Sequence, residues 1–172
     1  MERTLGIEGA WVDGVSNQIF MTYSCQCPCG TTRFEIHGEP ITRFYCHCTI
    51  CQQKYNAPFV DVTLFKLDEV VLPENHAISF AKYKRFGAVD RGDCPACNKP
   101  ILSKMGEGEK GYAFVAARNY VNPEALPAAE MHVFYGTRVA DATDDLPKYK
   151  NAISSRFAFI KHMMGSSNSK TA

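Results

Sequence analysis

The sequence predicts a mainly β fold, with short helices and one closing C-terminal helix. Three observations carry that reading. Short runs alternate apolar and polar residues, Gly and Pro punctuate them, and the eight cysteines gather into three tight groups. A chain of 172 residues is most simply one domain with a buried core.

The elements follow in chain order. Thr31 to Ile36 (TTRFEI) follows Gly30 and alternates Phe34 and Ile36 with Arg33 and Glu35, the period of a half-buried strand. Thr49 to Tyr55 reads as one or two helical turns directly after Cys46-His47-Cys48. Ala57 to Phe65 (APFVDVTLF) puts Val60, Val62 and Leu64 on one strand face. Ile78 to Phe86, Tyr112 to Ala116 and Met131 to Tyr135 are further β-rich runs. Turn residues fall at Gly38-Glu39-Pro40, Gly87, Gly106 to Gly111 and Pro123 to Pro127. Near the end, Ile153, Phe157, Ile160 and Met164 recur at helical spacing, with Ser155, Arg156 and Lys161 on other faces. That stripe serves equally to cover the chain's own sheet or to pair two copies as a homodimer. Gly165 is the expected stop, and the polar tail SSNSKTA reads as loose.

The formal net charge of +1 gives no general reason to expect nucleic acid or an anionic membrane surface as partner. No apolar run approaches the roughly 18 residues that span a bilayer. The first 20 residues lack a basic start followed by an apolar block, so they do not read as a secretory signal. The expected location is the cytoplasm.

In such a setting, tightly spaced cysteines are metal ligands or redox thiols more often than disulfides. Cys27 and Cys29, two apart in an extended segment, present both sulfurs on one face. Cys94 and Cys97 do the same across a turn. The four together make a closed tetrahedral set, the form expected of structural zinc. Such an ion would clamp the first hairpin to the middle of the chain, and its binding energy would be largely folding energy. Cys46, Cys48 and Cys51 supply only three thiolates, which leaves zinc a net charge of about −1 and one open position. His47, between Cys46 and Cys48, points to the opposite face. Three thiolates make a mild Lewis acid, better suited to holding a substrate sulfur than to making a strong hydroxide. Cys25 is the cysteine left over: a half-buried spare thiol, a reactive thiol, or a fourth ligand that would close the second site.

Cys27-Pro28-Cys29-Gly30, then TTRFEIHGEP, then Tyr45-Cys46-His47-Cys48-Thr49-Ile50-Cys51, then Arg91-Gly92-Asp93-Cys94-Pro95-Ala96-Cys97 together resemble the glutathione-dependent formaldehyde-activating family, which is related to centromere protein V. Glu130 to Tyr149 is similar to that family's closing segment. The resemblance covers roughly residues 23–149, leaving 1–22, with the sole Trp11, as an N-terminal extension and 150–172 as closing helix and tail. It implies the Mss4-like zinc-stabilised β fold and two zinc ions per chain. By position, Cys27, Cys29, Cys94 and Cys97 take the structural ion. Cys46, Cys48 and Cys51 take the catalytic one, beside which glutathione docks. The implied activity is of carbon–sulfur lyase type, and the family's founding reaction adds glutathione to formaldehyde. This chain departs from the pattern at Gln52-Gln53, where basic residues are common, at Asn98 for a glycine, and at Val139-Ala140 for Pro-Trp. These changes make a substrate other than formaldehyde credible.

Around the second site, Lys54 and Tyr55 are the candidate glutathione contacts. Arg33, Arg85 and Arg91 are further cations for its carboxylates, though each alone also reads as a solvated charge. His47 or Tyr55 would move the proton. His132 reads as a core or surface residue. Phe44, Tyr45, Tyr55, Phe59, Tyr83 and Phe86 either wall an apolar pocket beside the zinc or belong to the core. An enzyme acting on a small thiol adduct is the reading these features favour. A zinc-stabilised protein-binding module is the alternative, and a nucleic-acid binder on zinc knuckles the least favoured.

Overall fold

The computed structural model describes residues 21–72, 78–83 and 87–168. The N-terminal extension up to residue 20, with Trp11, lies outside them, as do Arg85, Phe86 and the last four residues of the tail. The chain runs β1 (Thr22–Gln26), β2 (Arg33–His37), β3 (Thr42–Cys46), α1 (Thr49–Tyr55), β4 (Val60–Lys66), β5 (Val70–Val71) and β6 (Ser79–Lys82). It continues through β7 (Val89–Asp93), β8 (Pro100–Met105), β9 (Tyr112–Ala116), β10 (Met131–Val133) and α2 (Ala152–Asn168), with short 3₁₀ turns between. The expected mainly β class is what the fold has.

Two sheets form. The smaller has the order β1-β2-β5, and the larger β10-β3-β4-β9-β8-β7-β6. All pairs are antiparallel except β10 on β3, where His132 stands opposite Tyr45 and Val133 opposite Cys46. One core lies between the sheets and includes Tyr23, Phe34, Ile36, Phe65, Ile101 and Val115. A second lies on the other face of the large sheet, with Phe44, Cys46, Val62, Leu64, Met131 and Val133 under the helices. β4 is central, so both its faces are buried. Val60, Val62 and Leu64 share one face as the alternation requires, while Phe65 enters the other core.

Several elements differ from expectation. The strand expected from Thr31 begins at Arg33, because Thr31 and Thr32 belong to the cysteine turn before it; Cys27 N–H bonds Thr32 O at 3.0 Å. Of the run Ile78 to Phe86, the described residues form a strand over Ser79–Lys82, and residues 84–86 lie outside the described part. The run Met131 to Tyr135 ends as a strand at Val133, since Phe134 turns left-handed at φ 54°. β1, β3, β5, β7 and β8 were not apparent in the pattern. β7 reads VDRGD, with no apolar alternation, and Gly92 sits there because a Cβ would lie 2.9 Å from Leu102 O and closer still to Ile78.

The closing helix exists, with one expectation about it corrected and one of two open alternatives removed. Gly165 does not stop it, since the helix runs on to Asn168. The apolar stripe faces out: Ile153, Phe157 and Met164 are about 70% exposed, while Ser155 and Ala158 are buried. The helix meets the sheet through Ala158, Phe159 and Met163. Ser155 Oγ accepts the Phe134 N–H at 2.9 Å, and Phe159 packs edge-on against Phe44 at 4.8 Å. Asn151 caps the start, its Oδ1 accepting the Ser154 N–H at 2.9 Å. Among the described residues no helix is long and apolar enough to cross a membrane.

Candidate metal centre

Two turns build the first cysteine group. After β1, Cys27 to Gly30 turn back into β2, with Gly30 N–H on Cys27 O at 2.9 Å and Gly30 at φ +73°. After β7, Asn98 N–H bonds Cys94 O at 2.8 Å, and Asn98 takes the left-handed conformation at φ 54° that glycine would otherwise supply. The turns face one another. Cys27 and Cys29 Sγ lie 3.1 Å apart, and Cys29 and Cys94 Sγ 3.8 Å. A zinc tetrahedron with bonds of about 2.3 Å separates its sulfurs by about 3.8 Å; the Cys29–Cys94 pair has that spacing, the Cys27–Cys29 pair is closer, and all four sulfurs lie within 4.8 Å of one another, a donor set that suits the ion. Donors support the sulfurs: Thr32 N–H on Cys27 at 3.3 Å, and the Thr32 hydroxyl on Cys94 at 3.2 Å.

The second group stands at the end of β3 and the start of α1. Cys46, Cys48 and Cys51 bring three sulfurs within 4.8 Å of one another. Cys48 is the N-cap of α1, its sulfur accepting the Cys51 N–H at 3.3 Å. S–H donation from Cys46, then from Cys51, brings the Cys48 thiol down to about 3. Its donation to Cys48, with burial added, holds Cys46 well above its ordinary value. Cys51 accepts from Cys46, which pulls it down, but donation to Cys48 and burial push it up to about 12. Without metal the trio therefore holds one anion; a dication there displaces the other protons.

The residues expected around the trio part company. Tyr55 lies one helical turn beyond Cys51 and packs into the same core, where burial first, and the nearby Cys51 charge second, push its phenol up. Arg118 lies over the Tyr55 ring at 5.4 Å and bonds its carbonyl. The Arg91 charge acts on Cys48 and Cys51. Lys54, in contrast, is tied to Asp93 in a partly buried ion pair. Arg33 bonds Gly30 O at the other cysteine group. Cys25 joins neither group. It is buried beside Tyr120, and desolvation pushes its thiol up to about 12, so it is a fully rather than half-buried spare.

His47 does turn away from the thiols. Its backbone is held by N–H on Val133 O at 3.0 Å, and its carbonyl accepts from Gln52 Nε2 at 2.7 Å and Thr137 Oγ1 at 2.8 Å. Its ring enters the opposite face of β3 and meets His132, Nε2 to Nδ1 at 2.9 Å. His132 Nε2 in turn lies 3.0 Å and 3.1 Å from the two oxygens of Asp144. That bond, foremost, holds the Asp144 carboxyl below the ordinary range. Burial, then the neighbouring His132, brings His47 down to about 4. His132, read from sequence as core or surface, is a buried member of this chain, and Asp144 was not singled out. Of the aromatic residues, Tyr45 and Phe59 do wall a cavity, on this face; Phe44 and Tyr55 are packed in the core, and Tyr83 is exposed.

A family model described as glutathione-dependent formaldehyde-activating enzyme matches residues 22–137 of the chain. No curated protein matches it.

Proposed function

The chain belongs to the glutathione-dependent formaldehyde-activating enzyme family, and on that premise we propose that it is a zinc-dependent enzyme that makes, breaks or rearranges a carbon–sulfur bond in a thiol adduct. The reaction is of carbon–sulfur lyase type, the thiol is glutathione or a relative, and the electrophile need not be formaldehyde. The catalytic unit spans residues 23–149, and its partner is a small molecule in a cytoplasmic setting. The observation that carries this reading is a count: Cys46, Cys48 and Cys51 converge, and among the described residues no fourth His, Cys, Asp or Glu joins them. Zinc bound there would supply a cation with one free position able to hold a substrate sulfur as thiolate. Cys27, Cys29, Cys94 and Cys97 form the closed set, and their role is structural.

The chain's own residues have separable tasks. Cys48 holds the first negative charge of the centre, under donors from Cys46 and Cys51. Arg91 offsets that charge. In the adding direction, the thiol S–H bond breaks, a sulfur–carbon bond forms at the carbonyl carbon, and the carbonyl oxygen takes up a proton; cleavage runs the reverse. Tyr55, kept protonated by its surroundings and placed beside Cys51, is the group that holds that proton. His47, turned to the other face, acts by fixing the backbone between Cys46 at the end of β3 and Cys48 at the cap of α1. Lys54 binds a glutathione carboxylate only by sharing itself with Asp93.

Cobalt substitution tests the open position. In a dicobalt protein, added glutathione should change the ligand-field bands of one centre and leave the other unaltered. Unchanged bands at both centres would leave a zinc-stabilised protein-binding module as the better reading.

A further inference from the structure

The face of β3 away from the thiols carries a cavity of about 330 Å³, the size that takes a single-ring molecule. Strand alternation separates the two sites. Phe44 and Cys46 enter the core under α2, while Tyr45 and His47 line the cavity beside His132 of β10. Tyr45 and Phe59 stand edge-to-face at 5.3 Å and form an aromatic corner, with Phe59 42% exposed at the surface. His47 and His132, each 3% exposed, form the buried part, and Asp141 and Asp144 complete the lining.

The polar atoms offered here are mostly acceptors. Asp144 accepts a hydrogen bond from His132 Nε2–H, so the Nδ1 of a neutral His132 accepts from His47 Nε2–H. His47 Nδ1 is then left as a buried lone pair, with no hydrogen-bond partner among the described residues. Asp141 receives Tyr135 and Arg138 on Oδ1, which leaves Oδ2 as an acceptor. Among the described residues no Lys or Arg lines the cavity. Arg138 and Lys148 lie over the Tyr135 ring and pair with the acids from behind. The Tyr45 and Thr143 hydroxyls adapt to either role. Arg138 and Lys148 offset the charge of the two carboxylates, so it is the surplus of acceptors, with two aromatic faces, that favours a hydrogen-bond donor such as an ammonium group over an anion.

We propose that this cavity is a second ligand site, separate from the thiol trio, for a small amine or ammonium compound with a flat apolar body. Benzylamine and its anionic counterpart benzoate are the probes, titrated into the full zinc-loaded chain with labelled histidines. Benzylamine should shift the ring signals of His47 and His132 saturably and bind at least about tenfold tighter than benzoate. Asp144→Asn keeps an acceptor for His132 and should weaken benzylamine at least about fivefold. Phe59→Ala removes a half-exposed wall and should weaken it as well, which keeps the test open if the first variant fails to fold. Overturning results are unsaturable shifts, benzoate binding as tightly as benzylamine, or folded variants that both bind like the parent.

Discussion

At Cys48 two roles meet in one sulfur, and they can be separated. The sulfur caps α1 by accepting the Cys51 N–H, and it belongs to the trio. Serine is among the best N-cap residues, so Cys48→Ser keeps the cap while removing a soft ligand. The variant should stay folded, its stability within about 1 kcal/mol of the parent. Zinc should fall from about two ions per chain to about one, and turnover should vanish. Metal analysis beside a thermal melt checks this; a variant that unfolds, or keeps full zinc and activity, contradicts the assignment. The triplet around Cys48 also shows how far residue spacing reaches. That His47 faces away from its cysteine neighbours follows from the two-residue period alone. That it meets His132, 85 positions on, does not follow from any local pattern. His132 carries no signal in its own neighbourhood beyond sitting in a short strand. Asp144 lies in a loop whose return path along β10, through His132 N–H on Pro147 O, is set by tertiary contacts.

Among the elements, α2 departs most from its pattern. Its apolar residues recur at helical spacing, yet the face that packs is the one carrying Ser155, Ala158 and Phe159. Hydrophobic periodicity scores size and apolarity, whereas the packed face here mixes Phe159 and Met163 with Ala158 and a serine hydroxyl that meets the Phe134 N–H. Gly165 illustrates the same limit: it is a frequent helix stop, but here the helix passes through it. A Cβ at Gly165 would meet nothing within 4 Å. Gly165→Ala should therefore raise stability by about 0.5–1 kcal/mol, read as a higher midpoint in denaturant with an unchanged slope. A loss of stability would mean that the last turns are not helical. The strands repeat the lesson. β2 and β4 were legible because their buried faces alternate cleanly, while β7, with charged residues and Gly92, pairs between β6 and β8 without that signature.

For the whole molecule, the decisive feature is where the closed cysteine set sits. Cys27 and Cys29 belong to the hairpin of the small sheet, and Cys94 and Cys97 to the β7–β8 turn of the large one. An ion shared by them would tie the two sheets across the core that contains Phe65 and Val115. Structural zinc contributes on the order of 10 kcal/mol in small domains, comparable to the total stability of a fold this size, about 5–15 kcal/mol. Cys97→Ser should therefore lose soluble protein, where Cys48→Ser does not; recovery of Cys97→Ser in the soluble fraction with native circular dichroism would refute the clamp. The β character, the two cysteine groups and the direction of His47 are legible along the chain, because each depends on backbone periods spanning a few residues. Which face of α2 packs, what His47 meets and the cavity behind the thiols come from the fold. Those depend on which distant segments come together, and close packing, not local spacing, makes that choice.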